Sequence, residues 1–525
     1  MGNRLLRRSA PLCVGLLALL VASGCGARTS SKDLLGLLKA SESSGAPAPG
    51  APAVPASGAA QLPAEEGSSA PASGTASAAS PQSGAAGAAA SAPSPSIAAS
   101  SSRAAAGSAT AASPAAGKAA TSAAGPAGGR AAASAGGGAS APTPAPGAAP
   151  IAGCTASGPT IVIGSVGSYS GIMGSIVAGG MKAVQAWTSR INATGGLRCH
   201  PVKYVVADDG GDAARNRALS QRLVEQEKVL AFVYNGGPVT AAASASYLNE
   251  KHIPAIGQEG GHMFTYESPM HFPIGAAAIP IQRLTLAGGA GITVPQGKTK
   301  AAIVTCQEVE YCNVADKTYA QYAKDVGYQV VYTAKTTFTQ PDFTSICVGA
   351  QNAGAQVLLL ASDANSHQRM MANCLRVNFR PTDVVTTIQA STAFKDDPNM
   401  DGTVIVSNVL PWFLTQNPVI AEYQETVKRY APGQPFDAVS MNGYSSAKAF
   451  EKALSTITPD HVVTTQDILD GLYRLDGDDL GGIVGKLRFT PGKPAKPVAC
   501  GWTVIAQKGQ FISDGKMFCV KGLEP

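Results

Sequence analysis

One stretch limits the folds open to this chain more than any other: Thr160 to Gly196, TIVIGSVGSYSGIMGSIVAGGMKAVQAWTSRINATGG. It begins with a short apolar, β-branched run, Thr160 to Ile163, which reads as a buried strand. Gly164 to Gly174 follows as a turn of small residues. Val177, Met181, Val184, Trp187 and Ile191 then recur at helical spacing. Asn192 to Gly196 end the helix, with two glycines able to take left-handed cap geometry. A second strand is expected at Val202 to Ala207. Strand, helix and strand at this spacing imply a right-handed crossover and a parallel sheet. In such sheets the loops leaving the carboxyl ends of the strands line the ligand crevice.

GSVGSYSG, INATGG and the strand ending in Asp208-Asp209 resemble the solute-binding proteins of branched-chain amino acid ABC transporters, which are periplasmic binding proteins of type I. KVLAFVYNGG, HIPAIG, TKAAIVTCQEVEY, PDFTSICVGAQNAGAQVLLL and VGKLRFTPGK follow in order, so the resemblance spans roughly Pro159 to Val520. It implies an α/β fold of two Rossmann-like, doubly wound lobes joined by a three-crossing hinge. The first lobe is expected at 158–279 and 409–481, the second at 280–408 and 482–525. Cys154 to Pro525 is too long for one core and suits two.

The residues before the fold read differently. Arg4, Arg7 and Arg8 form a positive n-region, and Leu12 to Ala22 is an apolar run too short to span a bilayer. Ala22-Ser23-Gly24-Cys25 resembles a lipobox, which implies a leader at 1–24, diacylation of Cys25 and a protein held on the outer side of the cytoplasmic membrane. The alternative is an ordinary secretory signal with a chance cysteine. Residues 25–153 are expected to be a tether. From Ser41 to Pro150 they are low-complexity Ala, Ser, Gly and Pro, which cannot build a core. Such a tether gives an anchored receptor reach through an envelope layer, or else records compositional drift. The three leader arginines are half of the formal net charge of +6. What remains is small and unclustered, so nucleic acid is not an expected partner.

The chain has ten cysteines. Cys13 leaves with the leader and Cys25 takes the lipid, which leaves an even number on an exported protein and favours disulfides. Local topology suggests the pairs. Cys154 and Cys199 precede neighbouring parallel strands. Cys500 and Cys519 flank an apparent hairpin. Cys347 and Cys374 lie on helices either side of the strand Val357 to Leu360. Cys306 and Cys312 remain, closing a short loop, with two free buried thiols as the alternative for that pair.

No H-E-x-x-H, G-x-S-x-G, G-x-G-x-x-G or Walker loop occurs, and the six histidines are scattered. The chain is therefore read as no enzyme, with no cofactor. Asp208, Asp209 and Asp212 could form a calcium cluster, but such residues more often close a turn and cap the next helix, and no metal is expected. Val439, Tyr444, Ala447 and Phe450 read as a helix face packed on the first sheet.

The resemblance places a small-molecule ligand between the lobes. The first-lobe loops are Gly167–Gly174, Asn235–Pro238 and Gln258–His262; the second-lobe loops are Gln307–Tyr311, Ser362–Asn365 and Gln389–Ser391. Amino-acid-binding members hold the α-carboxylate with hydroxyls and main-chain N–H groups, the ammonium with a second-lobe acid, and cover the ligand with aromatic rings. The residues so placed are Ser170, Asn235, Gly236, Gly237, Gln258, Glu259, Gly260, Tyr311, Asp363 and Gln389. Where a serine is usual the chain reads Asn235-Gly236-Gly237, and the ammonium-pairing acid falls on or near Gln389. Gly236 and Gly237 N–H groups are left to hold an anion. Glu259 or Asp363 is left to hold a cation or an N–H-rich solute, and Tyr311 to act as the aromatic cover. The expected function is a lipid-anchored, monomeric receptor that passes a small polar solute (amino acid, amide or urea-like) to an ABC permease. The alternative is a sensing or structural envelope lipoprotein on the same fold.

Overall fold

A computed structural model describes residues 154–525 with the exception of Glu259. The leader, Cys25 and the tether lie outside the described residues. The organising unit forms β1 (Ile161–Gly167), α1 (Gly171–Ala193) and β2 (Val202–Asp208). β1 runs further than the apolar run alone suggests. Ser165, Val166 and Gly167 pair in parallel with Val206, Ala207 and Asp208, so the first small residues of the supposed turn are still strand. Val177, Val184, Trp187 and Ile191 of α1 are buried, and the helix gives way to Gly195 and Gly196 at φ +102° and +87°.

α2 (Ala213–Glu225), β3 (Ala231–Asn235), α3 (Ala242–Lys251), β4 (Ala255–Gln258) and β5 (His271–Phe272) complete the first sheet, ordered β2-β1-β3-β4-β5 and parallel throughout. Leu223, Tyr247 and Leu248 from α2 and α3 cover one face. α1 covers the other together with α8 (Pro418–Tyr430), α9 (Ala438–Ala453) and α10 (Thr465–Tyr473). Val439, Tyr444, Ala447 and Phe450 are buried in that second layer. Tyr234 lies under α1, its hydroxyl donating to the Val177 carbonyl at 3.0 Å. Gly180 is required there, because a Cβ on it would lie 2.1 Å from the tyrosine ring.

The second sheet holds β6 (Lys300–Cys306), β7 (Gln329–Thr336), β8 (Val357–Ala361), β9 (Thr382–Thr386) and β10 (Val404–Ser407), all parallel. β11 (Cys500–Gln507) then joins antiparallel to β10 and carries β12 (Gln510–Ile512) and β13 (Phe518–Cys519). α4 (Ala278–Thr293) and α5 (Glu310–Tyr322) pack on one face, α6 (Thr344–Asn352) and α7 (Ala364–Arg376) on the other. The fold is thus α/β, with two doubly wound lobes and three chain crossings between them.

The third crossing comes later than the expected 481/482 boundary. Ile483, Val484, Leu487, Phe489 and Ala495 are buried in the first lobe's core, and the chain joins the second sheet at Cys500. Phe489 meets Phe272 edge-on at 5.1 Å, and the Ile483 carbonyl accepts from Leu410 N at 2.8 Å. These apolar side chains gain more by burial beside β5 than a direct crossing would allow. Disulfides join Cys154–Cys199, Cys306–Cys312, Cys347–Cys374 and Cys500–Cys519.

Candidate functional site

The carboxyl ends of the parallel strands carry the candidate residues, and the protein itself uses many of them. Ser170 precedes α1, is exposed, and bonds the Asp208 carboxylate. Asp208 also accepts from Tyr169 N and Gly210 N, at 2.9 and 3.0 Å. Partial burial pulls this acid upward, but the hydrogen bonds from Ser170, Gly210 and Tyr169 outweigh it and hold Asp208 below its ordinary value. Asp209 is buried and takes four donors: Ser168 Oγ, Gly211 N, Asn216 Nδ2 and Thr240 Oγ1. Asp212 caps α2 through Arg215 N at 2.7 Å. These carboxylates close the turn and start the helix.

Asn235 ends β3, and its side-chain oxygen accepts from Val166 N at 3.0 Å. The Gly236 N–H does not stand ready for an anion, because it donates to the Tyr169 hydroxyl at 3.1 Å, while its carbonyl accepts from Ser168 N. The same hydroxyl bonds Ser165 Oγ and the Tyr234 carbonyl. Burial drives the Tyr169 pKa well up, so it remains a neutral phenol. The Gly237 carbonyl accepts from Thr240 N and Ala241 N as the chain turns into α3.

On the second lobe, Asp363 is the N-cap of α7. One oxygen accepts from Asn365 N and Ser366 N, the other from Ser366 Oγ at 2.5 Å. Its charge is thus committed to the helix rather than offered to a cation. Tyr311 is not an open cover either: it is buried in the second lobe's core, and its carbonyl accepts from Gln282 Nε2 at 3.0 Å. Gln258 and Gln389 fit a site better. Both are buried, at the end of β4 and in the 3-10 turn Thr387–Gln389 after β9, and the side-chain oxygen of each has no partner among the described residues. Gly260 bonds through its carbonyl to Ala278 N at 2.9 Å, tying the first lobe's loop to the start of α4. Glu259 lies outside the described residues.

Three more residues near the lobe boundary share the state of Gln258 and Gln389, which Thr403 Oγ1 and His367 Nε2 also show elsewhere in the second lobe. Gln282 Oε1, Ser362 Oγ and Thr387 Oγ1 are buried without a partner among the described residues, on α4 and at the ends of β8 and β9. Leaving such a group unmatched costs roughly 1–3 kcal/mol, which makes it a candidate ligand contact. Gln282 had one signal in the sequence, a glutamine within the apolar run Ile281 to Leu286. Thr387 and Ser362 had none beyond loop position. The turn Thr387–Gln389 packs against α1 and α9, so this part of the second lobe touches the first.

Hydrogen bonds tie the crossings to one another. Asn408 Nδ2 donates to the Ala276 carbonyl at 3.0 Å, linking the second crossing to the first. The Tyr266 hydroxyl accepts from Ala277 N at 3.3 Å and bonds the backbone at Val498, linking the first crossing to the third. Among the described residues no His, Cys, Asp or Glu cluster is arranged to hold a metal ion, and no helix is long and apolar enough to cross a membrane.

Comparison with known proteins agrees with this architecture. The periplasmic binding protein family matches residues 160–510. An amino acid binding protein of Pseudomonas aeruginosa is 24% identical over 301 residues, covering 56% of this chain and 78% of that protein. A possible leucine/isoleucine/valine-binding protein from Rhodopirellula baltica superposes with a TM-score of 0.57 at 17% identity, covering 69% of this chain and 98% of the other. A fatty acid ABC transporter substrate-binding protein from Thermomonospora curvata also gives 0.57 at 17% identity, covering 69% and 93%. At such identities the structural likeness establishes the fold and leaves the ligand open. The fold and the long family match lead to one conclusion: the chain belongs to the periplasmic binding protein family and has its type I architecture.

Proposed function

We propose that this protein is a lipid-anchored, extracytoplasmic solute receptor. It captures a small polar solute between its lobes and delivers it, as a monomer, to an ABC permease. The observation that carries the reading is the set of buried, unpartnered polar atoms at the carboxyl ends of strands from the second lobe and of β4 in the first. Type I architecture and three crossings supply the hinge, and a solute that bonds both lobes favours the closed form. The permease then recognises that form. Cys25 is the anchor in this reading, and the low-complexity segment is the tether.

A thermal-shift screen of the full chain tests capture. A true solute at a hundred times its Kd adds about 2.7 kcal/mol of stability. Absence of any shift across amino acids, amides, amines and fatty acids would refute capture. Cys25→Ser should move the protein from the membrane fraction to the medium; unchanged retention would refute the anchor.

A further inference from the structure

We infer that the crevice selects an uncharged solute rich in N–H groups, an amide or urea-like molecule, over an α-amino acid; this rests on the solute-receptor reading above. Two of three buried glutamines are oriented by their hydrogen-bond partners. Gln258 Nε2 donates to Thr265 Oγ1 at 2.9 Å, and the Thr265 proton goes to the His262 carbonyl at 2.8 Å. That hydroxyl can only accept from Gln258, so the amide nitrogen must be the end that meets it. Gln282 Nε2 donates to the Tyr311 carbonyl at 3.0 Å, and a carbonyl only accepts. Both amides are therefore oriented by their partners, and both leave a buried carbonyl oxygen with no donor among the described residues. Gln389 Oε1 is a third.

These three glutamines are chain neighbours of one contact between the lobes. A Cβ built on Gly260 would meet Ile281 Cδ1 at 2.9 Å and Ile388 Cγ2 at 3.6 Å. Gly260 follows Gln258 by two residues, Ile281 directly precedes Gln282, and Ile388 directly precedes Gln389. One contact between the lobes therefore has a glutamine beside each of its three members. The unpartnered hydroxyls of Ser362 and Thr387 stand at the ends of β8 and β9 on the same edge of the second sheet.

A set of buried carbonyl oxygens asks for N–H donors. A carboxylate brought against them would be desolvated and would face like partial charge. An ammonium would need an acid, and among the described residues the candidate acid, Asp363, has its carboxylate taken up by Asn365 and Ser366. A neutral amide or urea meets the acceptors without either difficulty, and the two hydroxyls can donate to its carbonyl.

Calorimetry on the full chain with urea, acetamide, leucine and palmitate tests this. Urea or acetamide should bind at least tenfold more tightly than leucine. Gln389→Leu and Gln258→Leu should each weaken the amide about tenfold while the melting temperature is retained. Gln282→Leu is the third variant; if it does not fold, the other two decide. Leucine or palmitate binding more tightly than both amides would overturn the inference and leave the receptor reading intact. So would amide affinity unmoved in both variants. No heat from any of the four, together with no shift in the wider thermal screen, would overturn the receptor reading itself.

Discussion

His271 shows how one buried side chain writes a pH dependence into this protein. Burial, with His262 nearby adding to it, pushes its pKa down to about 3, while Nδ1 lies 2.8 Å from Ser268 Oγ. The unfolded chain binds a proton near pH 6.5 and the folded chain does not, so the stability this neutral imidazole contributes is full above pH 6.5 and falls as pH drops from there towards 3. Each pH unit in that window removes up to about 1.4 kcal/mol. Urea denaturation between pH 6.5 and 4.5, above the main carboxylate range, should show a clear loss of stability in the wild type. His271→Asn should flatten that slope. Equal slopes would mean that His271 is not the group responsible.

Among the elements, α7 gives the sharpest test of what an acid in the crevice does. Asp363 could serve a ligand or a helix, and its three hydrogen bonds to Asn365 and Ser366 choose the helix. Asp363→Ala should cost about 1 kcal/mol through loss of the cap, and Asp363→Asn much less, because asparagine caps nearly as well. Amide affinity in the asparagine variant should stay within about twofold, read by calorimetry. A tenfold loss there would return the carboxylate to the binding site. A Ser-Asp pair ahead of a helical pattern is a helix start signal, which the reading of Asp363 as a ligand group passed over. What no local pattern could show is that capping leaves the acid no free role.

The whole molecule is held by two unequal kinds of disulfide closure. Cys154–Cys199 ties down the start of the first lobe across a separation of 45 residues, and Cys306–Cys312 spans only 6. Restricting the unfolded chain is the main effect, and it grows with the loop closed. The Cys154→Ser, Cys199→Ser double variant should lose about 4 kcal/mol and the Cys306→Ser, Cys312→Ser double variant about 2 kcal/mol. Denaturant melts of the two should differ in midpoint in that order; the reverse order would place the larger effect in the folded state, at the carboxyl end of β6.

Local features of the chain already determined its elements. The apolar period, the turn of small residues and the glycines after α1 state a strand, a helix and a stop within windows of a few residues, and the parallel crossover follows from their spacing. The family resemblance, with a length beyond one core, implied two such lobes. Tertiary structure alone decided which polar groups are consumed and which remain. Gly236 loses its N–H to Tyr169, which lies 67 residues earlier. Gln282, on a helix that no loop motif marks, is oriented by the Tyr311 carbonyl. The third crossing waits until the apolar side chains from Ile483 to Ala495 have packed into the first lobe. Helical and strand periods are set by near neighbours in the chain, whereas a donor finds its acceptor only after folding has brought distant segments together.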